Sequence, residues 1–191
     1  MNFTRFASIA LMLALVVAGG CQSVSTHAEL DSTKGVGPLA EHPAARMVGN
    51  WKGTATSLGR DGQWHQHVGI ERAHWNLAGT AIMVEGYGYG DDPTTGVRTV
   101  GHDACGVIEY DAGAKVVRFH AKRAGGNFGV HTLEADSTTG QMRWSPTGAG
   151  NVSHRFTINI TADRWVEVGE VSRDNGQTWS KFLETNLARV E

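Results

Sequence analysis

Glu71, Glu85, Glu167 and Glu170 lie in stretches otherwise rich in β-branched and aromatic residues, so they are the first side chains to weigh for chemistry. Two carboxylates facing one another across a cavity can divide the roles of acid and base, as in glycoside cleavage. The competing role is charge pairing, because an enclosed carboxylate needs a partner, and Arg72, Arg118 and Arg164 are available. Only the geometry of facing strands separates the two.

Histidine is the second chemical resource, with nine in the chain. In a strand, the i, i+2 spacing of His65-Gln66-His67 puts both rings on one face about 7 Å apart. Two such rings can chelate Zn, Cu or Ni, but a site needs a third ligand. No HExxH run, cysteine pair or Asp-rich calcium loop supplies one, and no metal site is expected. A haem iron would need an inward histidine among apolar neighbours, and His154 beside Phe156 and Ile158 comes nearest. No cofactor is assigned on that alone. Cys105 lies close to His102 and Asp103, yet positions 102 and 105 fall on opposite faces of a regular strand. Nucleophile and base therefore do not meet, and no Gly-x-Ser-x-Gly elbow replaces them.

The elements that must position these residues read as strands. From Gly49 onward the hydrophobic period is two, over 49–58, 63–75, 79–89, 97–110, 115–122, 127–135, 140–145, 152–161, 164–173 and 178–190. Arg60-Asp61-Gly62, Asp111-Ala112-Gly113, Thr138-Thr139-Gly140 and Asp174-Asn175-Gly176 each offer a glycine where a tight hairpin needs positive φ. About ten strands in a meander would leave two unpaired margins in an open sheet, and closure removes them. Gly86, Gly88 and Gly90 alternate with Tyr87 and Tyr89, the composition of a strand that bends. The expected fold is all-β: a closed antiparallel up-and-down barrel of about ten strands with a short helical turn over 38–48. A two-sheet sandwich is the alternative.

Alternation then nominates the lumen. In 152–161, His154, Phe156, Ile158 and Ile160 share the apolar, inward face. Strands 97–110 and 115–122 carry apolar residues on both faces, which leaves their parity open. The candidate lining is His154, Phe156, Ile158, His102, Arg118, Glu85 and Glu167. Of the six tryptophans, Trp51 and Trp179 are expected to seal the barrel ends or hold the first and last strands together. Trp64, Trp75, Trp144 and Trp165 line a cavity or pack the core.

The front of the chain is of another kind. Asn2–Arg5 carry one positive charge, Ile9–Val17 are apolar, and Ala18-Gly19-Gly20 lead into Cys21. An apolar core this short describes an export signal rather than a membrane span, which needs about 20 residues. The segment resembles the lipobox of bacterial lipoproteins, whose cysteine becomes the lipidated first residue. Gln22 is not the aspartate that retains such proteins at the inner membrane, so this resemblance implies an outer-membrane anchor facing the periplasm. The expected division is a signal peptide over 1–20, a flexible tether over 21–37 and a barrel domain over 38–191. Net charge is −2 at pH 7, which argues against nucleic acid as a partner. With Cys21 acylated, Cys105 has no partner for a disulfide.

Gly49-Asn50-Trp51 after a short helical turn looks like the Gly-x-Trp signature of lipocalins. Trp51-Lys52-Gly53-Thr54, Leu77 to Gly86, Gly106 to Asp111, Arg164 to Glu170 and Ser172 to Trp179 follow in order. Together they resemble a bacterial lipocalin-like, calycin-type lipoprotein family that carries only a domain-of-unknown-function label. The resemblance implies a calycin-type barrel and no particular activity. Strand 178–190 contains no histidine, unlike barrels of this type whose haem ligand lies on the last strand. The functional expectation is an envelope lipoprotein that holds a small apolar or amphipathic ligand in its lumen. An enzyme using lumen carboxylates and histidines, or a scaffold without a small ligand, are the alternatives.

Overall fold

A computed structural model describes residues 34–92, 95–126, 128–146 and 150–191. The leader, the lipidation candidate Cys21 and most of the tether lie outside the described residues. The described chain opens with one helical turn, α1 (Pro38–Glu41), and a 3-10 turn over Pro43–Met47. Proline begins each, where its fixed φ suits the first position and no donor is lost. The His42 ring accepts from the Ala44 amide and caps the second turn.

Eleven strands follow: β1 (Gly49–Leu58), β2 (Trp64–Asn76), β3 (Ala81–Asp91), β4 (Arg98–Asp111), β5 (Val116–Arg123), β6 (Phe128–Thr132), β7 (Glu134–Ala135), β8 (Met142–Trp144), β9 (Ser153–Ile160), β10 (Arg164–Ser172) and β11 (Ser180–Val190). They form one antiparallel sheet in the order β6-β5-β4-β3-β2-β1-β11-β10-β9-β8-β7. The first and last strands meet, with Asn50 opposite Val190 and Ser57 opposite Leu183. One continuous up-and-down sheet, nearly closed into a barrel, sets the sandwich aside.

The eleventh strand arises where the run 127–135 breaks. Leu133 drops its side chain into the core, 2% exposed, and divides the run into β6 and β7, the two margins of the sheet. Trp144 of β8 packs across this seam, 5.0 Å from the Phe119 ring of β5 and 5.3 Å from the His131 ring of β6. The turns follow their glycines in three cases, with Gly62, Gly140 and Gly176 all at positive φ. Gly113 differs. Asp111 accepts the Ala114 amide, and Lys115 takes the left-handed conformation instead.

One end of the barrel is packed shut. Trp51 is fully buried, donates its indole N–H to Met47 O at 2.7 Å and meets Trp165 edge-on at 5.9 Å. Arg189 stacks over Trp51 at 4.0 Å while its guanidinium reaches the carbonyls of Arg46, Val48 and Ala162. Leu39, Ile82, Ile108, Met142 and Leu187 complete this layer, each contributing about 1.5–3 kcal/mol by leaving water. Trp179 does not join the first and last strands. It stands half-buried in the β10–β11 turn, donates to Gly176 O and lies under Arg155 at 4.1 Å.

Candidate functional site

Cross-strand register carries the inner face around the barrel, because directly opposed residues share a face. On β9, His154, Phe156, Ile158 and Ile160 oppose Val171, Gly169, Glu167 and Trp165 of β10. Glu167 opposes the buried Thr185 of β11. On β2, Glu71 opposes the buried Trp51 of β1 and also Gly86 of β3. Gly88 of β3 opposes His102 of β4. His154, Phe156 and Ile158 therefore face the lumen as the alternation of 152–161 predicts, and His102, Glu167 and Glu71 share that face.

Two candidates fall on the other face. Glu85 is exposed between Arg72 and Cys105, because Ile82, Val84 and Gly86 take the inward parity of β3. Arg118 points outward from β5, where it bonds Asp111 Oδ2 at 3.4 Å and Thr132 Oγ1 at 2.8 Å. Val117 and Phe119 hold the inner positions beside it. Glu170 also faces out, paired with Arg155 at 2.6 Å. In β4 the register shifts at the Gly88/Tyr89 step, so Val100 is 52% exposed while His102 enters the lumen. Cys105 is exposed on the outer face, away from His102.

The inner face has a polar centre. Burial, and then the charge of Glu167, hold the Glu71 carboxyl well above the usual carboxylate range. Burial likewise raises Glu167 to about 7, although the indole N–H groups of Trp165 and Trp144 favour its ionised form. Those indoles influence the carboxylate without closing a hydrogen bond: both N–H groups are buried and without a partner. Glu71 and Glu167 are half-buried on the inner face. His102 is pushed down, by burial first and then by Arg123, with Asp103 opposing. A methyl group on Gly86 would meet the two Glu71 oxygens at 2.7 and 2.8 Å and His102 Nε2 at 2.9 Å. The absence of a side chain there lets both groups approach one point. This places a carboxyl whose protonated form is favoured beside an imidazole whose neutral form is favoured, a pair able to donate, accept or pass a proton.

Aromatic rings form the wall next to this centre. Trp144 stacks on Phe156 at 4.4 Å, and Phe182 meets Phe156 and His154 edge-on at 5.8 and 5.7 Å. Phe182 reaches this cluster because the β10–β11 register shifts at Gly169/Glu170. His131 enters from β6, its ring pushed below the ordinary histidine range by burial and then by His120. His65 and His67 share the parity of Glu71, but each has its own partner. His67 contacts Ser57 Oγ at 3.0 Å, and His65 contacts Asp61 at 2.9 Å. Among the described residues no group of three His, Cys, Asp or Glu is placed to hold a metal ion.

A surface concavity of about 710 Å³ lies at the closed end, bordered by His42, Arg46, Tyr110, Lys115 and the β7–β8 turn. Within it Asp136 accepts from the Thr138 and Thr139 amides and the Thr139 hydroxyl. It contains neither lumen carboxylate, so the lumen is the candidate site.

The fold and inner face define a class: an up-and-down barrel with an aromatic wall and a polar centre. No family model matches the chain, and no curated protein matches it. Among solved structures the chain is similar to the crystal structure of Rv2717c from M. tuberculosis, with a TM-score of 0.59 and 11% identity. The match covers 82% of this chain and 99% of that one, and it supports the fold alone.

Proposed function

We propose that this protein is an envelope lipoprotein of lipocalin-like type, held by acyl chains on Cys21, that binds a small, partly apolar molecule in its lumen. The observation that carries the reading is the set of unmatched polar groups on the inner face. The Trp144 and Trp165 N–H groups have no partner, and no lysine or arginine acts on Glu71 or Glu167. Leaving a buried polar group unpaired costs about 1–3 kcal/mol, so two orphaned indole donors beside two carboxylates without a basic partner form an unfavourable arrangement for a core. The arrangement suits a site that a ligand or water completes. The rings of Trp144, Phe156 and Phe182 supply apolar contact for the remainder of the molecule.

The anchor is consistent with a domain whose described residues contain no helix long and apolar enough to cross a membrane. Each acyl methylene buried in lipid contributes about 0.8 kcal/mol, and several chains hold such a protein firmly. Native mass spectrometry of the full-length protein released from its own membranes tests both parts. The expected spectrum shows an acylated Cys21 and a bound small molecule. A bare chain starting at Met1, or an acylated chain that never carries a ligand, would refute the respective half.

A further inference from the structure

We infer that the lumen selects a small organic cation, a protonated amine or amidine whose charge lies between Glu71 and Glu167 and whose apolar body lies against Trp144 and Phe156. This deepens the proposed lumen binding and rests on it. Its first support is charge. Both carboxylates face inward, and the influences on them are burial, their mutual repulsion and two indole N–H groups. No guanidinium or ammonium compensates either one. The arginines near them face elsewhere: Arg72 opposes the outward Glu85, Arg164 is exposed, Arg118 bonds Asp111 and Thr132, and Arg155 bonds Glu170.

The other inward titratable groups do not replace a cation. His67 is held by Ser57, while His131 and His154 pack against the Trp144 and Phe182 rings. Burial keeps His102 and His131 toward their neutral forms. His65 is held by Asp61 near the β1–β2 turn, and Arg123 reaches the Gly101 carbonyl at the end of β5.

The second support is the orphaned indoles. Trp165 is 2% exposed, and its N–H, like that of Trp144, bears on Glu167 with no partner of its own. Indole N–H groups that bear on Glu167 favour its ionised form, the form a cation requires. An anionic ligand would instead meet two carboxylates on which no lysine or arginine acts. A neutral hydrocarbon would bury both carboxylates without hydrogen bonds, which is costly. An ammonium carries three donors and a charge, and so answers both carboxylates at once.

The test uses three probes of similar shape with the full-length protein: 2-phenylethylammonium, 3-phenylpropionate and propylbenzene, titrated at pH 7.5 with calorimetric and tryptophan-fluorescence detection. The ammonium is expected to bind at least tenfold more tightly than either of the others. Glu167→Gln and Glu71→Gln should each reduce that affinity tenfold or more while leaving the circular dichroism spectrum unchanged. At pH 6.5 ammonium binding should release protons, read as a dependence of the heat on buffer ionisation enthalpy. If propylbenzene or 3-phenylpropionate binds as well as the ammonium, the cation assignment is overturned while lumen binding stands. If the ammonium binds equally to both glutamine variants, its charge does not sit on these carboxylates and the assignment again fails. If none of the three binds at millimolar concentration, the cation assignment falls together with the lumen reading beneath it.

Discussion

Replacing Glu167 by glutamine should make this protein more stable, and increasingly so as the pH rises. The folded barrel holds the Glu167 carboxyl at about 7 against an ordinary value of 4.5. Below pH 4.5 the group is protonated whether the chain is folded or not, and it exerts no pull on the equilibrium. Between 4.5 and 7 the unfolded chain releases this proton while the folded one retains it, so folding stability declines with rising pH. Above 7 both forms are ionised and the full cost stands. At about 1.4 kcal/mol for each tenfold change, the total is at most about 3 kcal/mol. For a domain of this size 1 kcal/mol shifts the midpoint by about 2–4 °C, so the two proteins should differ by up to roughly 6–12 °C at pH 8. Glutamine keeps the shape and an acceptor oxygen for the indoles, and removes only the charge. The assay is thermal unfolding of both proteins from pH 4 to 8.5, read as the difference in midpoint. That difference should be near zero at pH 4, widen between 4.5 and 7 and then level off. Parallel curves, or a variant less stable at pH 8, would refute a carboxylate held in a desolvating interior.

Other substitutions probe the same architecture. Gly86→Ala presses only on the movable ends of Glu71 and His102, so it should cost under about 1 kcal/mol in urea unfolding while lowering probe affinity. Gly53→Ala is the contrast, because its methyl would lie 2.3 Å from the Asn186 carbonyl and 2.9 Å from Leu187 Cα. Neither is a side-chain end that can swing aside, and a loss of about 1–3 kcal/mol is expected. Trp51→Ala empties the centre of the closed end and should cost about 3–5 kcal/mol, measured by chemical unfolding. Arg189→Lys retains the charge but cannot reach three carbonyls and stack on Trp51 together, so a loss of about 1–2 kcal/mol is expected by the same measurement.

Strand placement was legible because period-two patterning and turn glycines bracket nearly every strand. β9 was the clearest, with apolar residues on one face alone, and its inward set His154, Phe156 and Ile158 holds in the fold. Parity failed where a strand is irregular or two-faced. The register shift beside Gly101 reverses β4 between Val100 and His102, and nothing in the local composition marks it. In β5, Val116 and Val117 are adjacent, so Arg118 could be assigned to either face from its neighbours. Glu85 was open to correction from the sequence, since Ile82, Val84 and the three alternating glycines already occupy one parity. His131 was missed because β6 is short and offers no apolar alternation to orient it. Glu71 and Glu167 act as a pair only because β1 and β11 close the sheet between them. No spacing along the chain reports that distance.

The most direct measurement of the lumen reading is the indole N–H region of a ¹⁵N–¹H correlation spectrum, recorded while 2-phenylethylammonium is added. Trp144 and Trp165 have free N–H groups at the proposed site, whereas the Trp51 N–H is committed to Met47 O at the closed end. The Trp144 and Trp165 resonances should move with the probe and saturate together, with Trp51 unmoved. Shifts confined to other tryptophans, or no saturable shift at Trp144 and Trp165, would contradict a ligand site inside the barrel.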